Sequence, residues 1–164
     1  MRIILSPAKT MNEFDIAFQY KDLPIFIQET EILKDELKRL NINELAKLMK
    51  CNDSIALLNY QRYQHMNLKE GLSPALFTYV GLAYQHLACH IMTQSELDYV
   101  QDHLIILSGF YGMLRPFDGI KPYRLEMETK ISVNGYSNLY DFWNEKIANE
   151  LYKENDVILN LASN

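Results

Sequence analysis

The chain alternates between short apolar runs and segments in which apolar residues recur with helical spacing. The apolar runs are rich in isoleucine, valine and aromatic residues, and turn-forming residues end several of them, which indicates β-strands. The predicted strands are residues 2–5, 76–80, 105–107, 123–127, 130–133 and 157–161. Some of these runs show no apolar-polar alternation, which is typical of strands buried on both faces of a sheet.

Polar capping residues mark the starts of several predicted helices. Asn41 with Glu44, and Thr93 with Glu96, have the spacing of a capping box, and Asp53 is a further candidate cap. The predicted helices run from Pro24 through Leu40, from Asn41 to Lys50, from Asp53 through His65, from Thr93 through Leu104, and from Leu139 to Tyr152. The pair Asn134 and Gly135 predicts a turn before the last helix.

Alternation of strands and helices predicts an α/β fold with a mixed, largely parallel sheet flanked by helices. A chain of 164 residues is long enough for one domain, spanning 1–164. Its last predicted strand ends three residues before the chain stops, so no element follows to cover that strand. We therefore expect a chain truncated at its carboxyl end.

Charge and cysteine content limit the classes of partner. With 16 basic and 21 acidic side chains, the formal charge of −5 does not attract phosphate backbones to the chain as a whole, so any basic surface is local. The two cysteines and the absence of a secretory leader predict a cytoplasmic location. The apolar runs are shorter than the roughly 20 residues of a membrane helix, so no membrane partner is expected.

Small polar residues follow three of the predicted strands. Ser6, Ser108 and Ser163 come directly or almost directly after these strands, and Lys9 and Arg115 lie in the loops that follow the first two. If the strands are parallel neighbours, their carboxyl ends form a crevice, which is where open α/β sheets bind ligands. The alternative is that the serines are ordinary turn formers.

The run LSGFYGMLRPFDGIKPYRLEM (107–127) combines turn residues, aromatic rings and cations. Arginines such as Arg115 and Arg124 offer a rigid donor fork for phosphate, and Tyr111 and Tyr123 offer faces on which bases stack. These residues predict nucleic-acid or nucleotide binding. The alternative is that the glycines and prolines form turns while Arg124 pairs with Glu126 or Glu128 on a solvated strand.

A second candidate segment for DNA binding is residues 44–63, whose apolar spacing matches a helix-hairpin-helix. Lys47, Lys50 and Arg62 could assist the backbone N–H groups that meet a phosphate in that motif. Lys50 and Asn52 replace the usual hairpin glycines. A plain pair of core helices explains the same residues.

Metal and nucleophile patterns are incomplete. His86 and His90 have i, i+4 spacing beside Cys89, but no further ligands follow with zinc-site spacing, so neither a metal nor a cofactor is expected. Ser6 and Lys9 form a Ser-x-x-Lys pair interrupted by Pro7, so Lys9 is interpreted as an anion contact.

Four segments resemble, in order and spacing, signature segments of the YaaA family of peroxide-stress proteins. They are LSPAKTM (5–11), LSGFYGMLRPFDGIKPYRLEM (107–127), LYDFWNEKI (139–147) and NLASN (160–164). The resemblance implies a chain about half as long again that continues into a lysine-rich region. It also implies protection against iron damage under hydrogen peroxide stress, DNA binding through a helix-hairpin-helix, and an unusual α/β fold.

Carried onto this sequence, the family signature implies a cleft. Its residues would be Ser6, Pro7, Lys9, Gly109, Tyr111, Gly112, Arg115, Pro116, Tyr123, Arg124, Glu126, Asn160 and Ser163. One departure concerns Leu82, which follows Gly81 where many members have an acidic residue. A mechanism that needs that carboxylate is therefore in question.

The leading hypothesis is a DNA-binding protein of the response to hydrogen peroxide that limits iron-mediated oxidative damage, with double-stranded or distorted DNA as its partner. The predicted DNA contacts are Ser6, Lys9, Lys47, Lys50, Tyr111, Arg115, Tyr123, Arg124 and Ser163. The alternative is an enzyme that acts on a nucleotide or a damaged base in the same cleft. Glu126 would be its acid or base, with Arg124 as the electrostatic partner.

Overall fold

The computed structural model describes residues 1–13, 18–153 and 157–162. Its strands are β1 (Arg2–Leu5), β2 (Thr10–Met11), β3 (Ser73–Pro74), β4 (Tyr79–Val80), β5 (Leu104–Ser108), β6 (Gly112–Leu114), β7 (Gly119–Ile120) and β8 (Ile158–Asn160). Its helices are α1 (Ile27–Arg39), α2 (Ile42–Met49), α3 (Asp53–His65), α4 (Ala75–Thr78), α5 (Leu82–Leu87), α6 (Gln94–His103), α7 (Leu139–Trp143) and α8 (Lys146–Tyr152).

A four-stranded sheet organises the molecule, in the order β6-β5-β1-β8. β1 is parallel to both β5 and β8, whereas β6 is antiparallel to β5. Two small antiparallel ladders, β2 with β4 and β3 with β7, complete the strand pairing of the described residues. The prediction of a mixed, largely parallel α/β sheet is confirmed.

Both faces of the sheet centre are buried. Ile106 and Leu114 belong to the main core, together with Leu33 of α1 and Trp143 of α7. On the opposite face, Ile4, Ile105 and Met113 pack with Leu151 of α8. This two-sided burial explains why the strand sequences are almost continuously apolar.

The helix starts follow the predicted capping chemistry. Both capping boxes are complete, since the side chains of Asn41 and Thr93 accept from the N–H groups of Glu44 and Glu96, whose carboxylates accept in return. Asn52, and not Asp53, caps α3 by accepting from the N–H of Ile55. α1 begins at Ile27, three residues after Pro24.

Two predicted strand segments are wrong. Residues 76–80 form the end of α4 followed by β4, and the Thr78 hydroxyl donates to the Pro74 carbonyl at 2.8 Å within that helical turn. Residues 123–127 form no ladder, because the backbone of Arg124 pairs with a side chain. The Tyr63 hydroxyl donates to the Arg124 carbonyl at 2.8 Å and accepts from the Arg124 N–H at 3.2 Å.

The end of the described chain departs from the prediction in two further places. Residues 130–133 contribute one isolated bridge, Val133 to Tyr136, around the predicted turn at Asn134 and Gly135, which both have positive φ. The predicted last helix is two helices, because the backbone of Asn144 (φ 44°, ψ −128°) departs from helical geometry after α7.

Candidate functional site

The carboxyl ends of three parallel strands meet at one edge of the sheet and open into a cleft of about 390 Å³. Ser6 follows β1, Ser108 ends β5, and Ala162 follows β8, and all three line this space. The segment Tyr123–Glu128 forms the facing wall. We call this space the strand-end cleft.

A carboxylate between two cations is the main charged feature of the strand-end cleft. The Lys9 ammonium lies 3.1 Å from Oε2 of Glu126, and a terminal guanidinium nitrogen of Arg124 lies 3.3 Å from Oε1. The Lys9 side chain is 65% exposed, whereas that of Arg124 is 17% exposed. Nε of Arg124 is buried and has no hydrogen-bond partner within the described part of the chain.

Hydroxyl groups connect the buried wall of the strand-end cleft. The Tyr123 hydroxyl lies 2.6 Å from Oγ of Ser108 and 2.7 Å from the hydroxyl of Tyr79. The Tyr84 hydroxyl donates to the Ser6 carbonyl at 2.8 Å and fixes the loop after β1. Burial raises the pKa of Tyr123 to about 12 and raises the pKa values of Tyr79 and Tyr84 as well. At neutral pH these phenols are therefore hydrogen-bond donors and not bases.

Gly109 allows the two walls of the strand-end cleft to approach each other. A Cβ atom at this position would lie 2.6 Å from the Leu125 carbonyl oxygen and 2.9 Å from the backbone nitrogen of Met127. The Gly109 carbonyl accepts from the indole N–H of Trp143 at 2.9 Å, which ties α7 to the same point. A side chain at residue 109 would push the walls apart.

A family model described as peroxide stress protein YaaA matches residues 1–164. The chain belongs to the YaaA family of peroxide stress proteins. It is similar to proteins named UPF0246 from Pediococcus pentosaceus (47% identical over 163 residues, 99% of this chain and 65% of the relative) and Limosilactobacillus reuteri (49% over 164 residues, 99% and 66%). The UPF0246 protein of Desulfitobacterium hafniense is 46% identical over 163 residues, 99% of this chain and 65% of the relative. This chain thus spans just under two thirds of the length of these relatives.

Five of the residues predicted as DNA contacts or as the catalytic acid or base line the strand-end cleft of this YaaA family member. They are Ser6, Lys9, Tyr123, Arg124 and Glu126. The structure brings these five side chains together, and their binding role stays a prediction. Ser163 lies outside the described residues, and its neighbour Ala162 reaches the cleft.

The placement of Arg115 in the cleft is wrong. Arg115 follows β6, which runs antiparallel to β5, so it lies at the opposite edge of the sheet, where it lines a separate depression with Arg2. Its Nε donates to Oδ1 of the buried Asp118 at 2.8 Å, and a terminal nitrogen donates to the Leu23 carbonyl at 3.1 Å. This guanidinium is therefore engaged by a buried carboxyl group away from the cleft.

The prediction that Tyr111 stacks on a base is also wrong. Its side chain is 1% exposed, and its ring packs against those of Phe110 and Tyr123 in the core. The Tyr111 hydroxyl accepts from the backbone N–H of Lys121 at 2.9 Å. Tyr111 therefore fixes the loop behind the strand-end cleft.

Of the other cleft residues that the family resemblance implied, Pro7 and Gly109 line the strand-end cleft. Gly112, Pro116 and Asn160 lie outside its described lining.

The segment 44–63 forms two helices, α2 and α3, joined by the turn 50–52. Lys47 and Lys50 are exposed on it, outside the described lining of the cleft. Lys50 takes a left-handed conformation (φ 47°), its N–H bonds back into α2, and the Cys51 N–H donates to the Ala46 carbonyl at 3.1 Å. Since the turn uses these two N–H groups itself, the helix-hairpin-helix assignment stays a prediction.

Sequence reasoning missed the tyrosines that support the strand-end cleft. Tyr79 and Tyr84 are buried through their rings, and each hydroxyl has a partner in or beside the cleft. A high tyrosine content in an apolar stretch is the available signal, because a buried phenol needs a hydrogen-bond partner. The partner itself cannot be identified from the sequence.

His86 and His90 do not share a helix in this YaaA family member. α5 ends at Leu87, and Ala88 follows in a left-handed conformation (φ 50°), so the helix that holds His86 does not continue to His90. Among the described residues, His, Cys, Asp and Glu form no group of three or more that could hold a metal ion. Within the described parts of the chain, no helix combines the length and hydropathy needed to cross a membrane.

Proposed function

We propose that this YaaA family member binds double-stranded or distorted DNA during peroxide stress and thereby limits iron-mediated oxidative damage, with one nucleotide unit of the DNA in the strand-end cleft. The observation that carries the proposal is the gathering of Lys9, Arg124 and Glu126 at the carboxyl edge of parallel strands. Lysine and arginine are phosphate donors, and a carboxylate can accept from the exocyclic amines of bases. A cytoplasmic location is part of this proposal.

The charge balance of the strand-end cleft determines how binding would respond to salt. Its cations Lys9 and Arg124 face the carboxylates of Glu126 and Glu128 in the lining, and the whole chain has a formal charge of −5. Long-range attraction of DNA is therefore weak. Affinity would come from local contacts. We therefore expect few phosphate contacts and a shallow slope of log affinity against log salt, since each contact contributes about 0.9 to that slope.

A fluorescence anisotropy titration tests this proposal. The chain is added to a labelled duplex, and to the same duplex with a short unpaired bubble, at two salt concentrations. Saturable binding that weakens with salt supports the proposal. Absence of saturable binding to either DNA at the lower salt concentration would rule it out for this chain.

A second candidate function is catalysis on a nucleotide or a damaged base. The arrangement that favours it is the Glu126 carboxylate, whose two oxygens are positioned by Lys9 and Arg124 within a concave site. An acid or base oriented by neighbouring groups is a recurring feature of active sites. Chromatography of nucleotides and of oligonucleotides with oxidised bases after incubation with the chain tests this function. Product formation that Glu126→Gln abolishes, while DNA affinity is retained, would support catalysis, whereas no product from the unmodified chain removes this candidate.

A further inference from the structure

A separate, apolar depression lies on the face of the sheet between the central strands and two helices. It has a volume of about 530 Å³ and lies between Ile3 and Leu5 of β1, with Leu161 just after β8, and the helix residues Leu87 of α5 and Val100 of α6. We call it the apolar groove. Two histidines, His86 and His103, also line it, whereas Lys, Arg, Asp and Glu are absent from its lining within the described residues.

The strand register shows that this face of the sheet is uncovered at β8. Ile3 pairs with Leu159, and the alternation of side chains puts Ile3, Leu159 and Leu161 on one face. On the other face of the same strands, Ile4 and Ile158 pack with the α8 layer. Leu159 and Leu161 are 46% and 56% exposed. Parallel strands are normally covered on both faces, whereas the described residues leave this face of β8 uncovered.

We propose that, in the longer chains of the family, a helix packs into the apolar groove. This helix belongs to the segment of those chains that has no counterpart in the 164 residues. Two observations favour this occupant. The chain spans only 65% of the Pediococcus pentosaceus relative, so a substantial unmatched segment exists in the longer protein. The groove is also continuous with β8, because Leu161 lines it and the chain leaves the sheet at that point.

The chemistry of the lining agrees with a helix that presents an apolar face. An anionic ligand would find no lysine or arginine among the described residues that line the apolar groove. Helices cover parallel sheets through apolar stripes that pack on the strand side chains. Covering Leu159 and Leu161 would remove two exposed leucines from water, which favours an apolar partner.

Thiol labelling in two chain lengths tests this proposal. The first protein is the 164-residue chain, and the second is that chain extended by the residues of the Pediococcus relative outside the match, joined as they are in that relative. Leu161→Cys is introduced into both, and the rate of maleimide addition at residue 161 is followed by peptide mass spectrometry. Peptide mapping separates it from the natural thiols Cys51 and Cys89.

We expect labelling at residue 161 to be about tenfold or more slower in the extended protein, because reaction then requires local opening. The control is Leu57→Cys on α3, a helix that packs against α1 and α2, and its rate should be equal in the two proteins. Equal rates at residue 161 in both proteins would refute the proposal. Protection of residue 161 in the short chain that increases with protein concentration would also refute it, since a second copy would then occupy the groove.

A charge substitution gives an independent readout. Leu161→Glu should lower the unfolding temperature of the extended protein and leave that of the 164-residue chain nearly unchanged, because Leu161 is 56% exposed without the added segment. An equal effect of Leu161→Glu on both proteins would contradict the proposed seat.

Discussion

The hydroxyl of Tyr123 lies 2.6 Å from Oγ of Ser108 in the buried wall of the strand-end cleft. Oγ of Ser108 already accepts from the N–H groups of Phe110 and Tyr111, so its own hydrogen is directed to Tyr123. The Tyr123 hydroxyl also bonds the hydroxyl of Tyr79 at 2.7 Å. The Tyr123 side chain thus links the end of β5 to β4. Through these bonds the 123–128 wall of the cleft is held to the core.

Tyr123→Phe should destabilise the protein by about 1–3 kcal/mol, because the buried hydroxyls of Ser108 and Tyr79 lose a partner while the packing volume is kept. Urea unfolding followed by circular dichroism measures this change. Tyr140→Phe is the matched control, since Tyr140 lines the same cleft but is 61% exposed, and it should be nearly neutral. Equal effects of the two substitutions would show that the hydroxyl chain is not a stabilising contact.

Alkaline titration should separate the buried tyrosines from the exposed ones. Burial raises the pKa of Tyr123 to about 12 and also raises those of Tyr63, Tyr79 and Tyr111, whereas an unfolded phenol ionises near pH 10. A raised folded-state pKa stabilises the protein below pH 10, and this contribution is lost as the pH rises from about 10 through about 12. Absorbance near 295 nm should show a late phase that coincides with loss of near-ultraviolet dichroism. Complete tyrosine ionisation near pH 10 with the fold intact would contradict this prediction.

The sheet and the gathering of strand ends could be predicted because they depend on local patterns. Uninterrupted apolar runs indicated the three parallel strands, and the serines after them indicated a shared edge, where Ser6 and Ser108 do meet. The capping boxes at Asn41 and Thr93 are equally local, since the paired groups lie three residues apart. Local chemistry of this kind survives in the folded chain.

The errors come from tertiary contacts that no local pattern encodes. The strand predicted at 123–127 is absent because Tyr63, far away in sequence, bonds both backbone groups of Arg124. Arg115 was predicted at the wrong edge because the antiparallel direction of β6 reverses the chain after the turn at Gly112 (φ 73°). A glycine-rich run indicates that the chain turns. It does not indicate whether the residues after the turn form an antiparallel strand, or how long that strand is.

Arg115→Ala should destabilise the fold by about 3 kcal/mol at a pH above 7, where Asp118 is ionised. It leaves the fully buried Asp118 carboxylate with the backbone N–H of residue 115 but without its guanidinium. Burial raises the pKa of Asp118 to about 7, and hydrogen bonds from Arg115 oppose that rise. The loss should therefore grow as the pH rises through about 7 and be small in acid, where the carboxyl is protonated with or without the guanidinium.

Chemical unfolding of Arg115→Ala at about pH 8.5 and about pH 5 measures this loss, since Asp118 is mainly ionised at the first pH and mainly protonated at the second. Arg39→Ala is the control, since its ion pair with Glu36 is at the surface, and it should cost less than about 1 kcal/mol at either pH. A loss of similar size for both arginines would mean that the buried pair has no special role.

Gly109→Ala should open the strand-end cleft. The added methyl group would meet backbone atoms of Leu125 and Glu126 at 2.6–2.9 Å, and backbone cannot move aside as a flexible side chain can. We expect a loss of stability of about 1–3 kcal/mol and weaker DNA binding. Gly135→Ala is the control for adding a methyl group, since nothing lies within 4 Å of that position, although its positive φ adds backbone strain. If Gly109→Ala binds DNA normally, the narrow approach of the two walls is not needed for binding.

Salt dependence can locate the DNA on the molecule. If DNA phosphates contact Lys9 and Arg124, the double variant Lys9→Gln with Arg124→Gln should lower the slope of log affinity against log salt by about 1.8, from about 0.9 per contact. The double variant Lys47→Gln with Lys50→Gln removes two exposed cations from the α2–α3 hairpin. If its slope falls as much as that of the Lys9 and Arg124 variant, the same DNA contacts both surfaces. Lys38→Gln with Arg39→Gln, at the end of α1, removes the same charge from residues outside α2, the turn 50–52 and the described lining of the cleft. If the slope falls only for the Lys47 and Lys50 variant, the DNA binds at the hairpin and not at the cleft. If the slope falls by the same small amount for all three double variants, the effect is one of general charge, with no defined phosphate site.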